Sequence, residues 1–171
     1  MKHMIFGGSA SGKSLFAEDR TMDFPEPRIY IATMRPWDDE CIKRIEKHRK
    51  QRKNKGFDTI ECYGSLVDIT LPKKATVLLE CMGNLVANVQ FGEEKFENPL
   101  EEICKNLSVL GETAENLIIV SNDVFLEEPP ENEETRTYLQ LLAGVTRYMS
   151  EYFDRVTEVV CGIPIDLKGG V

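Results

Sequence analysis

Apolar residues in this chain come in short runs separated by stretches of helical periodicity. Lys2 to Phe6 is a brief apolar run ahead of glycines, and Lys13 to Arg20 opens a helix behind a Gly/Ser-rich turn, which predicts strand, loop, helix. Arg28 to Thr33, after Pro25 and Pro27, has the β-branched and aromatic content of a second strand, and its following loop carries Pro36. Trp37 to about Lys55 consists of helix formers, with Asp38, Asp39 and Glu40 at the start and cations downstream, the polarity a helix dipole favours. Phe57 to Tyr63 reads as a short strand. Ala75 to Cys81 is a continuous apolar run with Glu80 near its end, as in a buried parallel strand. There follow a helix through Leu85 to Gln90, an exposed acidic segment (Glu93, Glu94, Glu97), a helix from Leu100 to Glu115 and a core strand from Asn116 to Asn122. Pro129 and Pro130 break the chain before a long helix from Glu131 to Asp154, a last strand from Val156 to Val160, and a short tail with Gly162 and Pro164.

Strands and helices alternate throughout, so the expected fold is α/β with a mostly parallel central sheet flanked by helices. The 171 residues carry no internal repeat or linker, and the expectation is a single domain spanning 1–171. Asp plus Glu exceed Lys plus Arg by 29 to 21, a net charge of -8 that repels nucleic acid and anionic membrane alike. No apolar run reaches the roughly 18 residues of a spanning helix, and the first residues lack a signal-peptide core, so a cytoplasmic protein is expected. The five cysteines form no Cys-x-x-Cys pair and are read as free, mostly buried thiols. His3 and His48 have no Cys or His at ligand spacing, so any metal is expected to arrive with a ligand. His3 itself reads as a structural or surface residue of the first strand.

Gly7-Gly8-Ser9-Ala10-Ser11-Gly12-Lys13-Ser14 matches G-x-x-x-x-G-K-[ST] with a strand before it and a helix after it. Such a loop curls its N–H groups around a phosphate, and the helix adds the positive end of its dipole. Lys13 is expected to reach the β and γ phosphates of a nucleoside triphosphate, and the Ser14 hydroxyl to ligate Mg²⁺. Glu80, at the carboxyl end of a parallel strand, stands where an acid for the magnesium shell belongs; a plain strand-end acid is the competing reading.

Eight basic residues between Lys43 and Lys55 reverse the local charge of an otherwise acidic chain. Positions four apart share a helix face, so Arg44, His48 and Arg52 form a stripe with the imidazole between two guanidinium groups. Such a stripe can grip phosphates and present a neutral imidazole to phosphorus, because flanking cations disfavour a third positive charge. Composition alone favours a solvated basic face with an incidental histidine.

The loop, then Tyr30-Ile31-Ala32-Thr33, Arg44-Ile45-x-x-His48-Arg49-x-x-Arg52, Thr59-Ile60-Glu61, Leu79-Glu80-Cys81, Val120-Ser121-Asn122, Pro130-Glu131-Asn132 and Gly162-Ile163-Pro164 resemble, in order and spacing, the bifunctional adenosylcobinamide kinase/adenosylcobinamide-phosphate guanylyltransferase family of cobalamin biosynthesis. The resemblance implies a RecA-like, P-loop NTPase-like fold. It implies an enzyme that phosphorylates adenosylcobinamide and then transfers GMP from GTP to that phosphate, with GTP or ATP and Mg²⁺ taking part. In the family the guanylyl group rests on a histidine, here His48. Family nucleotide contacts carry over to Gly7, Gly8, Ser9, Ala10, Ser11, Gly12, Lys13 and Ser14, to Ala32, Thr33 and Met34, to Arg49, Lys50, Gln51 and Arg52, and to Glu61 and Glu80. A homotrimer with sites between subunits is also implied. The chain departs from the usual family pattern at Ala10, at Met82-Gly83-Asn84 and at Asn122-Asp123-Val124-Phe125. Two other readings stand beside this one: a small-molecule kinase without the guanylyl transfer, and a nucleotide-dependent regulatory binding protein.

Overall fold

A computed structural model describes residues 1–93, 95–125 and 132–170. In chain order its elements are β1 (Lys2–Gly7), α1 (Lys13–Met22), β2 (Arg28–Ala32), α2 (Asp39–Arg52), β3 (Phe57–Glu61), β4 (Thr76–Glu80), α3 (Met82–Phe91), α4 (Pro99–Thr113), β5 (Asn116–Asn122), α5 (Glu133–Tyr152), β6 (Arg155–Val160) and β7 (Ile163–Lys168). Among the described residues the strands form one sheet in the order β3-β2-β4-β5-β1-β6-β7. Neighbouring strands run parallel from β3 through β6, and β7 alone is antiparallel, against β6.

Period-two alternation sorts the strand side chains between two cores. Ile5, Leu78, Ile118, Val120 and Tyr30 face α1 through Ala17, whereas Met4, Ile31, Val77, Leu79 and Ile119 face Leu85, Leu107, Leu142 and Val145 of α3, α4 and α5. Both faces are thus covered, and every residue of β4 is buried, which is why its sequence reads as an unbroken apolar run. Side-chain caps set the helix starts: Asp38 accepts from Cys41 N at 2.7 Å, and Asn132 accepts from Glu134 N at 2.8 Å. No helix among the described residues is long and apolar enough to cross a membrane.

Three expectations need correction. The tail after Gly162 is a strand, β7, and Pro164 is tolerated because β7 forms the sheet edge, where one face of the backbone needs no partner. Helix α3 starts at Met82, directly after β4, instead of at Leu85. The cysteines are free, but only Cys81 is buried; Cys41, Cys62 and Cys104 are intermediate and Cys161 is exposed. His3 is structural, 1% exposed in β1. Glu94, the Pro129-Pro130 break and Glu131 lie outside the described residues.

Candidate functional site

The glycine-rich loop leaves the carboxyl end of β1 and is buttressed by the β6–β7 turn. Gly162 N donates to Ser11 O at 2.8 Å, and a Cβ on Gly12, whose φ is +91°, would stand 3.3 Å from Gly162 Cα. A Cβ on Gly7 would come within 2.5 Å of the Val159 carbonyl oxygen. These glycines therefore let the loop lie flat against its neighbours. Lys13 Nζ folds back to donate to Gly8 O at 3.0 Å. Burial, with Arg44 adding to it, holds the Lys13 ammonium below its usual pKa, while Cys81 and Glu80 pull the other way.

Strand order separates β1 from β4 by β5, yet α1 packs across β5 onto β4. The first turn of α1 thereby brings the Ser14 hydroxyl to donate to Glu80 Oε1. The other carboxylate oxygen accepts from Tyr30 OH at 2.8 Å and lies 3.8 Å from His48 Nδ1. One carboxylate thus joins the phosphate loop, the second strand and the basic helix. Burial, followed by the Glu80 carboxylate, pushes the Tyr30 phenol well above its ordinary pKa.

Helix α2 buries only Arg52, so it lies over the carboxyl edge of the sheet with most of its surface in water. Its inner side is held at several points. The Arg52 guanidinium stacks 3.8 Å from the Tyr30 ring centroid and donates to Thr59 Oγ1 at 3.4 Å. Arg49 donates to Glu61 at 2.6 Å, and Glu61 also accepts from Tyr63 OH at 2.9 Å. Just past the helix, Lys55 donates to Glu18 at 2.9 Å and to Asp19 at 2.8 Å. Two hollows meet along this helix. An inner cavity of about 80 Å³ is lined by Tyr30, Ala32, Met34, Arg49, Arg52, Glu61, Tyr63 and Glu80. An open cleft of about 550 Å³ is lined by Ser9 through Leu15, Lys47, Gln51 and Asp123. Lys13, Ser14, Arg44, His48 and Asn122 line both.

The imidazole and the phosphate loop therefore share one opening. Of the other residues expected there, Lys50 is exposed and lines neither hollow, and Thr33 is buried with its hydroxyl donating to Cys81 O at 2.8 Å. The reading of His48 as an imidazole among cations alone is incomplete, because Glu80 arrives from β4, beyond the reach of helix periodicity. Tyr30, Tyr63, Asn84 and Glu18 were not singled out as site residues on chemical grounds. Tyr30 did carry a signal: a tyrosine inside an apolar strand needs a partner for its hydroxyl, and that partner is Glu80. Glu18, His48 and Glu80 each offer a ligand atom within 4.8 Å of the others, a grouping with metal-binding potential among the described residues.

Residues 3–167 match the family model described as cobinamide kinase / cobinamide phosphate guanyltransferase. The chain is 31% identical over 175 residues to the bifunctional adenosylcobalamin biosynthesis protein CobP of Pseudomonas aeruginosa, covering 99% of this chain and 98% of the relative. It is 28% identical over 183 residues to the bifunctional adenosylcobalamin biosynthesis protein CobU of Salmonella typhimurium, covering 98% of this chain and 100% of the relative. A solved structure from Pyrococcus horikoshii OT3 shares the fold with a TM-score of 0.53 at 10% identity, covering 98% of this chain and 85% of that one.

Proposed function

Since the chain belongs to the cobinamide kinase / cobinamide phosphate guanyltransferase family, we propose that it is a bifunctional enzyme of cobalamin biosynthesis that phosphorylates adenosylcobinamide and then guanylylates the phosphate through a covalent adduct on His48. The observation that carries this reading is the shared opening: His48 lines the same cleft as Lys13, Ser14 and the loop amides.

In the kinase step the aminopropanol hydroxyl attacks the γ-phosphorus of a nucleoside triphosphate, the bond from that phosphorus to the bridging oxygen breaks, the nucleoside diphosphate leaves and the hydroxyl proton passes to solvent. The loop N–H groups and Lys13 hold the charge that spreads over the transferring phosphoryl oxygens. In the second reaction the His48 Nε2 lone pair forms a bond to the α-phosphorus of GTP, and the bond to pyrophosphate breaks. A phosphate oxygen of the cobinamide product then attacks that phosphorus, the P–N bond breaks, and the imidazole is restored. Nδ1 faces inward, toward Glu80, which leaves Nε2 for the phosphorus. The Glu80 carboxylate, 3.8 Å from Nδ1, steadies the positive charge the ring acquires during attack. Arg44 and Arg52 stand on either side for phosphate. The Ser14 hydroxyl and Glu80 carboxylate, both oxygen donors, fit Mg²⁺ bound with the nucleotide, which would neutralise phosphate charge.

The same proposal includes trimeric assembly, which sedimentation analysis tests. Intact mass after incubation with GTP and Mg²⁺ tests the chemistry: an acid-labile gain of one GMP with pyrophosphate release is expected, and none in His48→Ala. No gain, or an undiminished gain in the variant, refutes the covalent step, and phosphorylated cobinamide without pyrophosphate would leave a kinase only.

A further inference from the structure

Behind the imidazole, side chains from three elements converge, and one of them, Glu18, has no part in the nucleotide chemistry. Glu18, on the second turn of α1, has no exposed surface. Its Oε2 accepts from Lys55 at 2.9 Å, and its Oε1 has no hydrogen-bond partner. His48 Nδ1 is likewise shielded from solvent without a hydrogen-bond partner, 3.8 Å from Glu80 Oε2. One ligand atom from each of the three residues lies within 4.8 Å of the other two. A buried carboxylate oxygen left unpaired is costly, and an electropositive partner removes that cost.

The donor set identifies the partner. Two carboxylates and an imidazole nitrogen suit zinc-class divalent ions, whereas Mg²⁺ prefers oxygen ligands and retains its waters. Residues 18, 48 and 80 are too widely spaced for any sequence motif, and only the packing of α1, α2 and β4 unites them. We propose that Glu18, His48 and Glu80 form an exchangeable site for a zinc-class divalent ion, and that its occupancy silences guanylyl transfer. The binding stands on the geometry alone; the silencing rests on His48 being the nucleophile. An ion on Nδ1 takes that nitrogen's lone pair, so the proton of the neutral ring sits on Nε2, which then has no lone pair for phosphorus. Lys55 on Glu18, together with Lys13 near Glu80, weakens the site electrostatically, which favours an ion that comes and goes over a structural one.

The experiment uses chelator-stripped protein, with Zn²⁺ followed by equilibrium dialysis and Co²⁺ as an optical probe, in wild type, Glu18→Gln and His48→Ala. Gln keeps an acceptor for Lys55, and the half-buried His48 gives a second variant that leaves the Glu18–Lys55 pair untouched. Each variant is expected to lose affinity about tenfold or more relative to wild type. The Co²⁺ spectrum should show ligand-field bands without thiolate charge transfer. Zn²⁺ should slow the GMP mass gain in wild type and not in Glu18→Gln. Equal binding by all three proteins, or thiolate ligation of Co²⁺, overturns the site. A GMP adduct whose rate ignores bound Zn²⁺ overturns the silencing. Failure of the zinc-free protein to form any adduct with GTP and Mg²⁺ refutes the guanylyl-histidine, and the silencing with it, and leaves the dialysis result intact.

Discussion

His3 makes the stability of this protein depend on pH in a calculable way. It sits on β1 between β5 and β6, 1% exposed. The Thr157 hydroxyl has one proton, which it donates to Asp166 Oδ1 at 2.6 Å. Thr157 Oγ1 must then accept from His3 Nε2 at 2.8 Å, so Nε2 carries the ring proton and the buried Nδ1 has no partner. Protonation would put an unpaired N–H and a positive charge into the core. Burial first, then Arg155 and Arg20, lower the His3 pKa from 6.5 to about 4, with Asp166 partly opposing. Above the unfolded value both states are neutral and the contribution is complete. As pH falls through the unfolded value, the unfolded chain takes a proton the folded one refuses, and stability drops until the folded pKa is passed. At about 1.36 kcal/mol per pKa unit, the loss by about pH 4.5 is about 2.5 kcal/mol. Urea unfolding of wild type and His3→Gln between about pH 7.5 and about pH 4.5 isolates this from the carboxylates common to both. The stability difference should move against wild type by about 2.5 kcal/mol on acidification. Parallel curves would refute the reasoning.

Other consequences are equally direct. Tyr30→Phe deletes only the hydroxyl that serves Glu80, and should cost about 1.5–3 kcal/mol in urea unfolding; an unchanged midpoint at unchanged slope contradicts that bond. Gly12→Ala forces a side chain into a left-handed backbone 3.3 Å from Gly162 Cα, and should cost about 1–3 kcal/mol while weakening binding of a fluorescent GTP analogue. A wild-type titration curve would count against the buttressing of the loop. Lys55→Met strands the buried Glu18 carboxylate and should cost about 3 kcal/mol or more. Pairing it with Glu18→Gln should recover part of that loss in a double-mutant cycle, and strictly additive costs would deny the pairing.

Much of the sheet was legible because its strands are buried on both faces and therefore read as apolar runs between turn residues. β4 and β5 are the clearest cases. The glycine-rich loop was legible because its shape depends on local backbone, with Gly12 supplying the positive φ. Strand β7 was missed for the opposite reason. It borrows its stability from β6 and exposes Ile163, Ile165 and Leu167, and its proline reads as a break. The start of α3 was placed too late because Gly83 and Asn84 are weak helix formers, and burial of Met82 and Gly83 compensates.

His48 marks the limit of sequence reasoning more sharply. Its place on a basic helix was visible, and from that helix alone its neighbours are cations. The strand order then brings Glu80 across the site, so the same imidazole has a carboxylate 3.8 Å from its inner nitrogen and shares a cleft with the glycine-rich loop. The two settings ask different things of the ring. On the proposed route the helix cations would serve phosphate, whereas a carboxylate near Nδ1 would favour the positive charge that develops as Nε2 attacks. Glu80 owes that position to β4, its shared oxygen to Tyr30 on β2 and its link to the phosphate loop to α1. On the proposed covalent route, substituting any of these groups should therefore change the rate of the GMP mass gain without touching α2.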